Sequence, residues 1–178
     1  MRNLIISLFL SPYLVFGQNP DSMDSTDFQS FYQYFLGEWI GHETGRSGIG
    51  KGERTYEFVM NQYLMIHNTS RFEPQEQNPQ GEVHQDIDFF SLDRFIKKIV
   101  LREFHSEGFV IKYTLDSIYQ SPRTYIFNSE SFENAPPGFR ARLTLIIHSD
   151  MEFEEIFYLA PQGKDLEEFL RNRWKLKK

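Results

Sequence analysis

Hydrophobic and polar positions change their period twice along this chain. Residues 4–16 are almost wholly apolar, broken by Ser7, Ser11 and Pro12, with Arg2 before them and Gly17 after. Residues 28–36 then set Phe28, Phe31, Tyr32, Phe35 and Leu36 three and four apart. That spacing predicts a short amphipathic helix, with Ser25, Thr26 or Asp27 available as its N-cap and Gly37 to stop it. From Glu38 onward the period is two. Alternating segments at 38–43, 54–60, 63–72, 82–91, 95–104, 109–115, 123–129, 141–148, 152–159 and 165–176 read as strands. The last also fits a helix through Leu166, Phe169 and Leu170. Short turn signals such as Asn61-Gln62, Ser149-Asp150 and Pro161-Gln162-Gly163 separate most of them.

No helical segment long enough for a parallel crossover interrupts these strands. The fold expected is therefore mainly β: an antiparallel up-and-down barrel of about ten strands with one short N-terminal helix. The 178 residues hold one such domain. Residues 1–17 have the charge, apolar run and small residue of a secretory signal. The run is about 13 residues, short of the roughly 20 that span a bilayer. Residues 18–27 are expected to form a flexible segment, and 28–178 the barrel domain. The expected product is exported, periplasmic or extracellular, with no transmembrane span once the signal is removed.

Composition narrows the chemistry. The chain has no Cys, so disulfides, thiolate metal sites and cysteine nucleophiles are excluded. A formal charge of −6 gives no electrostatic case for nucleic acid as a partner. The 18 Phe, nine Tyr and two Trp suit strands and an aromatic interior.

Leu36-Gly37-Glu38-Trp39-Ile40-Gly41, where helix meets first strand, resembles the Gly-x-Trp opening of the calycin barrels, the lipocalins and fatty-acid-binding proteins. The chain from Leu36 onward also resembles calycin-like proteins of unassigned function and, more distantly, the nitrobindin-like heme-binding barrels. The calycin resemblance implies a barrel floor in which Trp39 lies beneath an Arg of the last strand, Arg173 or else Arg171, by cation–π stacking. The nitrobindin-like pattern differs here in two places: His42, Glu43 and Thr44 follow Gly41, and no His lies beyond His148. The resemblance thus implies a barrel and leaves heme without its usual C-terminal ligand.

Candidate chemistry clusters in a few places. His84, Asp86 and Asp88 lie two apart, a spacing at which imidazole and carboxylate can share a divalent cation. They are read here as a solvent-facing stripe, with Val83, Ile87 and Phe89 inward, and no metal set is assigned. Residues 102–108 gather Arg102, His105 and Glu107 at a hairpin, where a carboxylate can orient an imidazole at the barrel mouth. His67 shares a strand face with Tyr63 and Met65, from which it would line a cavity or ligate iron. Arg142, beside Arg140, is a candidate anion anchor, with ion pairs to Glu152, Glu154 and Glu155 as the plainer alternative. Gly45, Gly48, Gly50 and Gly52 lack the Lys-Ser/Thr ending of a phosphate loop and are expected to form a mobile hairpin.

The ligand-binding candidates are accordingly His67, Arg102, His105, Glu107 and Arg142, with Trp39 and Arg173 at the floor; no catalytic residue is identified. The function expected is binding of a small hydrophobic or amphipathic molecule inside the barrel. Three alternatives stay open: an enzyme acting in the same cavity, a heme-binding barrel, and a filled barrel with a structural or protein-binding role. The cofactor and the oligomeric state are unknown from sequence.

Overall fold

A computed structural model describes residues 25–76 and 78–178. The expected signal segment and most of the segment after it lie outside the described residues. One helix, α1 (Ser25–Phe35), precedes ten strands: β1 (Gly37–Gly45), β2 (Gly48–Val59), β3 (Tyr63–Phe72), β4 (Glu82–Asp93), β5 (Lys98–His105), β6 (Val110–Gln120), β7 (Arg123–Glu133), β8 (Arg140–Ser149), β9 (Glu152–Ala160) and β10 (Glu167–Leu176). Each strand pairs antiparallel with its sequence neighbours, and β10 pairs with β1 to close the barrel. Closure leaves no unpaired sheet edge. The final segment is a strand and not a helix, because β1 and β9 flank it on both sides.

The two ends of the barrel differ. At one end α1 acts as a plug. Its apolar stripe buries Phe28, Phe31, Tyr32 and Phe35. Phe31 meets Phe90 and Tyr125 edge-on at 5.0 Å each, and Phe35 meets Phe153 at 5.1 Å. Such aromatic pairs add about 0.5–1.5 kcal/mol each beyond area burial. Two tyrosines tie the plug to strands across the rim. Tyr32 donates its hydroxyl proton to the carbonyl of Phe90 at 2.8 Å, and Tyr34 donates to that of Ser149 at 2.9 Å.

Inward positions grow polar with distance from this plug. On β3 the inward row runs Leu64, Ile66, Asn68, Ser70, and on the facing β4 it runs Phe90, Asp88, Asp86, His84. The register is pinned by Phe90 and Leu64, which must pack beneath α1, and slipping by one residue would turn the whole row outward. This reverses the facing expected from the sequence. Asp86 and Asp88 point into the barrel and are buried, while Val83 and Ile87 are exposed. Along β4 the rule that apolar residues face inward holds at Phe90, beneath the plug, and fails at Asp88, Asp86 and His84.

The glycine-rich stretch forms the expected hairpin between the first two strands, with Gly45 closing β1 and Gly48 opening β2. Gly48, Gly50 and Gly52 belong to β2 and face inward, paired with β1 and β3. Gly41 and Gly52 make room for one large ring. A Cβ on Gly41 would come within 2.7 Å of the Trp174 indole, and one on Gly52 within 2.4 Å.

Candidate functional site

Between the plug and the open end lies a cavity of about 290 Å³. Its floor is a buried polar network built on Arg54. The guanidinium donates to both carboxylate oxygens of Glu155 at 2.6 and 3.1 Å, to Asn68 Oδ1 at 3.1 Å and to the Tyr56 hydroxyl at 3.1 Å. It lies 4.1 Å over the Trp174 ring. Asn172 Nδ2 donates a further bond to Glu155 at 3.1 Å. Arg54 stands on β2 and Glu155 on β9, so this pair crosses the interior above the space that Gly41 and Gly52 leave beside Trp174. Burial disfavours the charged guanidinium, but Glu155 outweighs burial and holds Arg54 protonated. The fork of Arg suits a paired carboxylate in a way Lys cannot match.

Nearer the mouth the lining turns acidic. Seven carboxylates (Glu43, Glu82, Asp86, Asp88, Glu103, Glu107 and Glu155) border the cavity, against Arg54 and two histidines. Burial pushes the Glu43 carboxyl up to about 7, although the Ser70 hydroxyl donates to it at 2.8 Å and Arg54 attracts its anion. Burial also raises Asp88, reinforced by the charges of Glu103 and Asp86. Asp88 Oδ1 and Asn172 Oδ1 are buried oxygens with no hydrogen-bond partner. Buried polar groups are normally satisfied, so such orphans mark places where a further group fits. Phe72, Phe109, Leu143, Phe157, Phe169 and Leu170 supply the apolar part of the same lining.

Four titratable side chains meet at the rim. His84 Nε2 is 2.8 Å from Asp86 Oδ1, and His105 Nδ1 is 2.9 Å from the same oxygen. His84 Nδ1 is 2.6 Å from Glu107 Oε1, and the two rings approach to 3.4 Å between Nε2 of His84 and Nδ1 of His105. Each of the four residues offers a possible ligand atom, all within 4.8 Å of one another. Burial alone would lower the histidines, yet neighbouring carboxylates dominate. His84 is raised to about 9 by Asp86 and Glu107, and His105 to about 10 by Asp86 and Glu103. Burial likewise opposes ionisation of Asp86, but His105 and His84 hold its carboxyl well below the usual range.

The sequence candidates divide into those the barrel brings together and those it does not. His105 and Glu107 line the cavity, and Glu107 contacts His84 rather than His105. His67 does not line it: the side chain is exposed on the outer face, because its neighbours Ile66 and Asn68 face inward. Arg102 is also outside, donating to the Ser91 hydroxyl at 3.0 Å. Arg142 is outside and donates to Asn128 Oδ1 at 2.9 Å. The three carboxylates proposed as its partners pair elsewhere: Glu152 with Arg173, Glu154 with Arg171, and Glu155 with Arg54.

Trp39 is 1% exposed and donates its indole N–H to the carbonyl of Phe35 at 2.7 Å. Arg173 does not cover it, since that side chain points to solvent and meets Glu152 at 2.7 Å. The barrel does contain a guanidinium stacked on an indole, formed instead by Arg54 and Trp174. Sequence reasoning missed Arg54, Glu155, Asn68 and Asn172. Their signal was present as polar residues in step with Tyr56, Ile66, Phe153 and Trp174, but it became visible only once those neighbours were known to face inward.

No family model matches the chain, and no curated protein matches it. Among solved structures, the chain is similar to the crystal structure of Rv2717c from M. tuberculosis, with a TM-score of 0.63 and 14% identity over 85% of this chain and 97% of that one. A weaker likeness is to the structure of EF1p2_mFAP2b bound to DFHBI, with a TM-score of 0.41 and 11% identity over 82% of this chain and 95% of that one. At this identity the first likeness shows the fold alone, and at this TM-score the second carries no argument. What fold and site define together is a closed ten-stranded antiparallel barrel, plugged at one end, with a polar cavity toward the other.

Proposed function

We propose that this protein is an exported barrel that binds a small amphipathic molecule in its interior. The observation that carries the reading is the composition of the cavity. Four Phe and two Leu share the lining with unsatisfied buried oxygens and an excess of carboxylates. A pocket of this kind accommodates an apolar body on one side and fixes a polar head on the other. Among the described residues the lining sets seven carboxylates against Arg54, His84 and His105, each already paired with a carboxylate, so the head that fits is a hydrogen-bond donor or a cation, not a carboxylate or phosphate.

The same lining does not suit a porphyrin. Its propionates would enter a field of like charge, and His67, one of two histidines considered for iron, faces solvent. Export rests on residues 1–17. Among the described residues no helix is long and apolar enough to cross a membrane. N-terminal sequencing of the mature protein should begin at or near Gln18; a cytoplasmic protein retaining Met1 would remove export from the proposal.

The binding test uses two fluorescent probes of opposite charge. Thioflavin T, cationic and amphipathic, should bind with saturable enhancement, while the anionic probe anilinonaphthalene sulfonate should bind far more weakly. Leu143→Trp, which projects into the cavity, should abolish the response while circular dichroism stays that of the folded barrel. Preference for the anionic probe, or a response unchanged by Leu143→Trp, would overturn the reading.

A further inference from the structure

We propose that His84, Asp86 and His105 form a tripod for one divalent first-row transition-metal ion at the rim of the barrel. Nothing in the ligand-binding reading requires this site, and it stands on separate observations.

The first is the geometry of the donors. His84 Nε2, His105 Nδ1 and Asp86 Oδ1 form a triangle with sides of 2.8, 2.9 and 3.4 Å. A cation about 2.1 Å from each corner, the ordinary length of such bonds, would sit about 1 Å above that plane. Two imidazoles and one carboxylate on a single face are the donor set of facial metal sites, which leave the opposite positions open.

The second observation is what stands behind each donor. Metal-bound histidines generally give their other ring N–H to a carboxylate, which fixes ring orientation and tautomer. The His84 ring is placed for this, with Glu107 Oε1 2.6 Å from its Nδ1. Behind His105 the carboxylate of Glu103 stands 3.6 Å from Nε2, within ion-pair range. The carboxylate donor is anchored in the same way. Asn68 Nδ2 donates to Asp86 Oδ2 at 3.0 Å, turning Oδ1 toward the two rings.

The third concerns satisfaction. Asp86 is buried, and its Oδ1 has close contacts with the two imidazoles but no aligned hydrogen bond. A simple ion-pair network would be expected to align these groups on one another. Here His84 Nε2, His105 Nδ1 and Asp86 Oδ1 crowd together within 3.4 Å, as donors to a cation do.

The local strand geometry explains why these residues meet. His84 and Asp86 are two apart on β4 and therefore share the inward face. Asp86 pairs directly with His105 of β5, bringing the second imidazole alongside. The turn after His105 then returns Glu107 to the back of His84.

The experiment is titration of the full metal-free chain with Co²⁺ alone, followed by visible absorption and by calorimetry. One equivalent should bind, with ligand-field bands of a site containing nitrogen donors. His105→Ala and Asp86→Asn should each abolish stoichiometric binding. Glu107→Gln should weaken it by about 10- to 100-fold, as loss of an orienting partner does. His67→Ala, which removes an imidazole from the outer face, should leave the titration unchanged. Absence of stoichiometric cobalt in the wild-type chain would overturn the proposal, whether or not a variant folds. So would wild-type affinity in folded His105→Ala. Neither result would bear on the dye experiment, so failure of this site and failure of the ligand reading are separable.

Discussion

Replacing Arg54 by Met isolates the energetic role of the buried network. The substitution keeps an unbranched apolar stem and removes only the guanidinium. Arg54 and Glu155 are each 8% exposed, so Glu155 would stay buried with Asn172 as its remaining donor. Removing one partner of a buried pair costs about 3–5 kcal/mol, because the other charge is left uncompensated. The lost stack on Trp174 adds about 0.5–2 kcal/mol. Set against a typical domain stability of about 5–15 kcal/mol, the change is large and measurable. Glu155→Gln should also destabilise, since it leaves the guanidinium buried without a counter-charge. The double variant should be far less damaged than the sum of the two, because neither buried charge then remains. Urea denaturation followed by tryptophan fluorescence serves as the assay, since Trp39 and Trp174 are both interior and urea does not screen charge. A loss below about 1 kcal/mol for Arg54→Met, or strict additivity in the cycle, would refute the view that this pair is a coupled unit.

Three further outcomes are expected. Trp39→Ala should cost about 3–5 kcal/mol in the same urea assay, as for other buried large-to-small changes; a change near zero would mean that Trp39 does not anchor the plug. Gly41→Ala should cost about 1–3 kcal/mol by overpacking against the Trp174 ring, with altered tryptophan emission as a second readout. Glu43 keeps its proton in the folded state up to about pH 7, whereas the unfolded chain releases it near its ordinary value of 4.5. Its contribution to stability should therefore fall as pH rises through that window, by about 3 kcal/mol in all, and stay constant above it; the difference in stability between wild type and Glu43→Gln, measured from pH 4.5 to 8, should show this slope.

The barrel was legible in the sequence because ten period-two segments and short turns leave few other folds, and α1 announced itself through Phe28, Phe31, Tyr32 and Phe35. Facing was harder. Alternation tells which residues share a face but not which face is inside. Along β4 both faces carry plausible insides: Val83, Ile87 and Phe89 on one, and Phe90 with three polar residues on the other. Burial of Phe90 beneath α1 decides it, and that contact is 59 residues away in sequence from Phe31. The same long-range constraint turns His67 outward and Asn68 inward. Arg54 falls two residues from Tyr56 on one strand face, yet its partner Glu155 lies 101 residues on. Of the proposed site residues, His105 and Glu107 were visible because they flank a turn whose geometry is local. Their convergence with His84 depends on the β4–β5 register, which no local pattern encodes.

The central claim, that this barrel encloses a cavity made for a small amphipathic ligand, is tested most directly by native mass spectrometry of the protein purified from its own source. The account predicts the mass of the mature chain plus one small organic molecule, with that added mass absent from folded Leu143→Trp. A wild-type chain carrying no organic molecule, or an added mass that persists unchanged in the blocked variant, would contradict it.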